Sequence, residues 1–139
     1  MEPDSDLNLS ISLLLVEDDD DSRQLLVDIL SRKFPEVTVY SANNGRTGLN
    51  LFITHTPNVI ITDINMPEMS GVQMADKIRA IKPDAKIIVL TADTEKAPLK
   101  KTGGEGLEVD YYIIKPVNFG ELFTAIGRCI AETALHQAQ

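Results

Sequence analysis

The residues best equipped for chemistry in this sequence stand directly after short apolar runs. Glu17 and Asp18 follow "ISLLLV" (11–16), Asp63 follows "NVIIT" (58–62), Thr91 follows "KIIVL" (86–90) and Lys115 follows "DYYII" (110–114). Singly, each has an ordinary explanation. Glu17 to Asp21 is a run of five acids, and charge runs usually solvate a helix start. Asp63 would serve as a turn or cap aspartate ahead of "MPEMSG", Thr91 as a strand-end hydroxyl and Lys115 as a surface lysine before a proline. Their recurrence at four strand ends outweighs these readings, because open parallel sheets bind ligands beyond the carboxyl ends of their strands. Three carboxylates, a hydroxyl and an ammonium at one sheet edge suit Mg²⁺. That cation takes one or two protein carboxylates and completes its shell with water and phosphate oxygens. Asp63 would then be a carboxylate nucleophile toward a phosphoryl group. Lys115 and Thr91 would position that group and stabilise its charge. Crowded carboxylates oppose folding unless a cation or donors compensate. Here Glu17 and Asp18 would face the metal, while Asp19, Asp20 and Asp21 would meet the free amides and positive dipole of a helix N-terminus.

The elements that must position these groups follow from periodicity. The five strands expected are the four runs above and "VTVYS" (37–41), each short and uniformly apolar or β-branched. They alternate with segments of helical period, the pattern of βαβ units in a parallel sheet covered on both faces. A helix over 20–33 carries Leu25, Leu26, Ile29 and Leu30 on one stripe, and one over 71–81 carries Val72, Ala75 and Ile78. From Asn118, a plausible N-cap, Phe119, Leu122, Phe123, Ile126, Cys129 and Ile130 recur at three- and four-residue spacing. Cys129 is therefore expected in the core. The stretch 94–110 holds Pro98, Gly103, Gly104 and Gly106, and glycine costs about 1 and proline about 3 kcal/mol in a helix interior. A short or mobile fourth helix is expected there. Residues 1–10 read as a disordered leader, 11–133 as one domain and 134–139 as a flexible tail, the frayed end of the last helix.

The chain has 139 residues, 43% of them hydrophobic, enough for one core. Its 13 basic and 21 acidic residues give a net charge of −8, which argues against direct nucleic-acid binding and against anionic membranes. One cysteine, no signal-peptide pattern and no apolar stretch of membrane-spanning length suggest a reducing, cytoplasmic setting. His55 and His136 read as lone exposed histidines rather than ligands. Met66 and Met69 flank the Asp63 loop, as a cover or a partner contact.

Four motifs, "LLVEDD" (14–19), "IITDINMPEMSG" (60–71), "IVLTAD" (88–93) and "YYIIKP" (111–116), stand in the order and near the spacing of one family. From about Ile11 to Ala131 the sequence resembles the receiver domain of two-component response regulators. The resemblance implies a flavodoxin-like, doubly wound five-stranded parallel sheet of order 2-1-3-4-5 with helices on both faces. It implies Asp63 as phosphoacceptor, and Glu17, Asp18, Asp63 and the Asn65 backbone carbonyl as Mg²⁺ ligands. It further implies Thr91 and Lys115 against the phosphoryl group, a cis Lys115–Pro116 bond and Tyr112 as a rotamer switch coupled to Thr91. Pro67 and Gly71 match the loop after the acceptor. Asn65 and Asp93 match positions that influence water access, and their small polar side chains imply a phosphoryl state of modest lifetime. The implied donor is a histidine kinase or histidine phosphotransfer domain, and the implied target a downstream protein or output domain.

"GGEGLEVD" (103–110) departs from the compact turn usual in that family, so dimerisation through the face of the fourth helix, fifth strand and fifth helix is not assumed. Two rival classes fit the sequence less well. A Mg²⁺-dependent phosphohydrolase would want a second aspartate two residues beyond the nucleophile, where this chain has Asn65. A phosphate-independent interaction module would normally lack the acceptor or the lysine, and both are present.

Overall fold

A computed structural model describes residues 10–66, 68–92 and 109–138. Within them the strands are β1 (Ser12–Val16), β2 (Thr38–Ala42), β3 (Val59–Asp63), β4 (Lys86–Thr91) and β5 (Tyr111–Ile114). The helices are α1 (Asp20–Lys33), α2 (Gly45–His55), α3 (Gly71–Ile81) and α4 (Phe119–Ala138). All strand pairs are parallel and the sheet order is β2-β1-β3-β4-β5.

Side-chain alternation along each strand divides the core between two faces. Leu13 and Leu15, Val59 and Ile61, and Ile88 and Leu90 pack with Leu26 and Leu30 of α1 and with Leu122, Ile126 and Cys129 of α4. Leu14 and Val16, Ile60, and Ile87 and Val89 pack on the other face with Phe52 of α2 and with Met74 and Ile78 of α3. The central strands therefore read as uninterrupted apolar runs, while β2 and β5 at the sheet edges are half exposed.

Helix starts follow from local capping. Asp19 accepts from the Ser22 amide at 2.8 Å and Asn44 from the Thr47 amide at 2.8 Å. Ser70 and Gln73 form a reciprocal capping box on α3, and Asn118 accepts from the Glu121 amide at 2.8 Å as foreseen.

Several expectations need correction. β2 and β3 begin and end one residue later than their apolar runs and β4 ends one residue later, so Asp63 and Thr91 are the last residues of β3 and β4 rather than the first of loops. Asn58 is left to seal the sheet bottom, where its side-chain carbonyl accepts from the Ser12 amide at 2.9 Å. Leu25, counted in the α1 stripe, is 51% exposed, because Leu26 and Leu30 alone bury against the sheet. Residues 134–138, expected as a frayed helix end and flexible tail, are helical and continue α4. That extra turn is tied down where His136 Nε2 lies 3.3 Å from Asp84 Oδ2, so His136 is not solitary. Nor is His55, whose ring stacks on Tyr40 at 4.2 Å. The expected fourth helix, Asp93, Pro67 and the leader up to residue 9 lie outside the described residues.

Candidate functional site

Strand register assembles the site. Val16 pairs with Thr62, so the next residues, Glu17 and Asp63, come out side by side at the carboxyl edge. Asp63 in turn pairs with Leu90 and Thr91 with Ile114, which brings Thr91 and Lys115 to the same edge. The Lys115 amide donates to the Thr91 carbonyl at 2.9 Å, and the Lys115–Pro116 bond is cis.

Glu17, Asp18 and Asp63 each offer a carboxylate oxygen within 4.8 Å of the others. Lys115 Nζ lies 2.5 Å from Asp63 Oδ1 and 3.8 Å from Glu17 Oε1. Glu17 and Asp63 are buried, whereas Asp18 is exposed. Burial pushes the Glu17 carboxyl up to about 7; the Asp19 amide donating at 3.0 Å opposes the rise and the charge of Asp63 adds to it. A buried carboxylate held this high is relieved by a hard cation. An all-oxygen donor set with one solvent-facing member suits Mg²⁺, which keeps several waters. The residues present thus fit that ion.

Of the flanking acids, Asp19 is the N-cap of α1, while Asp20 and Asp21 lie in its first turn. The Ser22 amide holds the Asp19 carboxyl below its ordinary value, and Asp20 pairs with Arg23 at 2.7 Å. Arg23 also donates from Nη1 to the Glu17 carbonyl at 3.0 Å. This contact escaped the sequence reading: it reaches six residues back across the β1–α1 turn, and no helical spacing marks it. Thr62 is a second omission. Its buried hydroxyl donates to the Asp63 carbonyl at 2.8 Å, beneath the acceptor itself. A Thr directly before Asp63, in a strand otherwise of Val and Ile, was the signal available.

Thr91 is fully buried and its hydroxyl donates to the Ala92 carbonyl at 2.9 Å. Paired residues of parallel strands share a face, so Thr91 and Tyr112 project from the same side of the sheet as diagonal neighbours. Tyr112 packs toward the α2–α3 face and Tyr111 toward the α1–α4 face, as alternation requires. Partial burial raises the Tyr112 phenol above its ordinary value. Asn65 is exposed in the loop after β3, and that loop closes where the Gly71 amide donates to the Ile64 carbonyl at 2.7 Å. A Cβ on Gly71 would stand 1.9 Å from the Asp63 carbonyl oxygen, so only glycine permits this junction. Chemically, the arrangement offers a buried carboxylate with one cation at its shoulder and two further carboxylates for a metal.

The response regulator receiver domain family model matches residues 13–127. The regulatory protein AtoC of Escherichia coli is 33% identical over 120 residues, covering 85% of this chain and 25% of AtoC. The chain spans between a quarter and a half of the length of the curated relatives it matches. Among solved structures, the N-terminal domain of an uncharacterized protein from Wolinella succinogenes superposes with a TM-score of 0.81 at 35% identity, covering 91% of this chain and 99% of that one. The response regulator TrrA of Thermotoga maritima, in complex with Mg²⁺-BeF, superposes with a TM-score of 0.73 at 32% identity, covering 86% and 98%.

Proposed function

The chain belongs to the response regulator receiver domain family, with its phosphoacceptor role in two-component signalling, and we propose that Asp63 is the residue that accepts the phosphoryl group. One observation carries the assignment: among the described residues, Asp63 alone is both within 4.8 Å of two other carboxylate ligand atoms and 2.5 Å from the Lys115 ammonium. A carboxylate oxygen of Asp63 attacks phosphorus and forms the acyl phosphate. The P–N bond to the donor histidine breaks, and its electron pair stays with the imidazole nitrogen. Lys115 moves from Asp63 Oδ1 to a phosphoryl oxygen, retaining its proton and offsetting the added charge. The Thr91 hydroxyl exchanges the Ala92 carbonyl for another phosphoryl oxygen, and Tyr112, on the same face, follows into the space vacated. Phosphorylation thereby biases two arrangements of the β4 and β5 ends.

Glu17, Asp18, Asp63 and the Asn65 carbonyl would hold Mg²⁺, which when bound supplies charge neutralisation for the transferred group. The Mg²⁺-BeF complex of TrrA supports a Mg²⁺ site in this chain by similarity. The donor in this reading is a histidine kinase or histidine phosphotransfer domain, and the recipient of the signal is an output domain or separate protein. The chain acts as a switch that transfers a phosphoryl group to and from itself, with no separate substrate turned over. A net charge of −8 favours protein partners over direct contact with nucleic acid. A cytoplasmic setting fits the single, fully buried cysteine. Among the described residues no helix is long and apolar enough to cross a membrane.

Beryllofluoride titration followed by thermal melting tests the assignment. Stabilisation is expected only with Mg²⁺ and is lost in Asp63→Asn. Equal stabilisation of the variant would remove Asp63 from the role.

A further inference from the structure

The loop after Asp63 is touched from an element that no part of the chemistry above uses. At the start of α2, a Cβ built on Gly45 would stand 2.2 Å from the Met69 carbonyl oxygen, 2.8 Å from its carbon and 2.9 Å from its Cβ. Gly45 is buried, and Asn44 beside it is fixed as the N-cap of α2. One residue on, Arg46 Nη1 lies 3.6 Å from Glu68 Oε1, and Glu68 itself sits at φ 71°, a left-handed conformation uncommon for a side-chain-bearing residue. Two successive residues of one turn thus meet two successive residues of the acceptor loop. The loop's other end is closed by the Gly71 amide on the Ile64 carbonyl.

We propose that the Asn44–Arg46 turn is a positioning element for the acceptor loop, with Gly45 setting how closely the loop lies to α2 and Arg46 holding Glu68. The inference rests on the reading of Asp63 and the Asn65 carbonyl as the phosphoacceptor and a metal ligand, and it assigns that site a support outside its own motifs. The physical argument is steric. The clash at Gly45 is with backbone, which yields only if the whole loop moves. To bring a Cβ out to ordinary contact, the Met69 carbonyl must retreat by about 1 Å. A displacement of that size, even remote from the reacting atoms, costs roughly tenfold to a hundredfold in rate. The Arg46–Glu68 pair is exposed on both sides, so it steadies the loop weakly, on the scale of a surface ion pair.

The test uses Gly45→Ala, the double variant Arg46→Gln/Glu68→Gln, and Gly127→Ala on α4 as a control, since a Cβ there meets nothing within 4 Å. Three quantities are read at low temperature on folded protein: Mg²⁺ Kd by calorimetry, amide hydrogen exchange without metal, and the melting temperature. Gly45→Ala is expected to raise the Mg²⁺ Kd about tenfold. It should also speed exchange of the Gly71 amide and the loop amides about tenfold while β1 and β3 stay protected. The double variant should show the same pattern at twofold to threefold, and Gly127→Ala neither effect. A purely structural role for Gly45 would lower the melting temperature and leave Kd and loop exchange untouched, which overturns the proposal. If Gly45→Ala does not fold, unchanged Kd and exchange in the double variant overturn it equally. Failure of the wild-type protein to bind Mg²⁺ would instead refute the ligand assignment, and loop exchange without metal would still decide whether the turn supports the loop.

Discussion

Replacing Glu17 with glutamine isolates the cost of burying its carboxylate at this site. Glu17 is buried, with its carboxyl raised from about 4.5 to about 7 chiefly by that burial. Below pH 4.5 the group is protonated whether the chain is folded or not. Between 4.5 and 7 the folded protein keeps a proton that the unfolded chain has released, so stability falls as pH rises; above 7 the loss is complete. The linkage ceiling for such a rise is about 3 kcal/mol. Lys115 and the open, Asp18 side of the site screen the charge, which lowers the expected loss to about 1–2 kcal/mol. For a chain of this size that corresponds to roughly 3–8 °C. Thermal melts of metal-free protein from pH 5 to 8 should therefore show the wild type losing this much relative to Glu17→Gln. Millimolar Mg²⁺ should restore it in the wild type alone. Parallel melting curves for the two proteins, or a wild type that gains on the variant as pH rises, would refute the reasoning.

Other perturbations act on separate parts of the account. Gly71→Ala, which drives a Cβ against the Asp63 carbonyl, should destabilise the fold by about 1–3 kcal/mol in chemical denaturation and weaken Mg²⁺ binding. Lys115→Met leaves the buried Asp63 without its cation; Mg²⁺ should then bind at least as tightly by calorimetry, while phosphorylation from a small-molecule donor slows by more than tenfold. Ser70→Ala removes the capping box of α3 and should cost about 1 kcal/mol in denaturant melts with no change in Mg²⁺ Kd. The Cys129 thiol is fully buried and pushed up to about 12 by that burial, so a thiol reagent at pH 8 should label it only at the rate of unfolding.

Much of the site was legible because its members are consecutive with strand ends. Once the five apolar runs are placed in one parallel sheet, Glu17, Asp63, Thr91 and Lys115 have nowhere to go but one edge, and the register of β1, β3, β4 and β5 brings them there. What stayed hidden are contacts whose partners share no spacing. Arg23 reaches the Glu17 carbonyl across a turn, and Gly45 meets Met69 only because α2 and the acceptor loop pack in three dimensions. Periodicity also overstated the α1 stripe: a helix lying on a sheet buries a narrow line of residues, so Leu26 and Leu30 are covered while Leu25 is not. The contact of His136 with Asp84 at the last turn of α4 was hidden too, because its partner lies more than fifty residues away along the chain.

The central claim is that Asp63 takes up a phosphoryl group with the help of a divalent cation. Intact mass after incubation with a small-molecule phosphodonor, with and without Mg²⁺, tests it directly on the native chain and on Asp63→Asn. A single phosphoryl adduct that needs Mg²⁺ and is missing from the variant is the predicted result. An adduct that persists in Asp63→Asn, or forms equally well without the metal, would contradict the account.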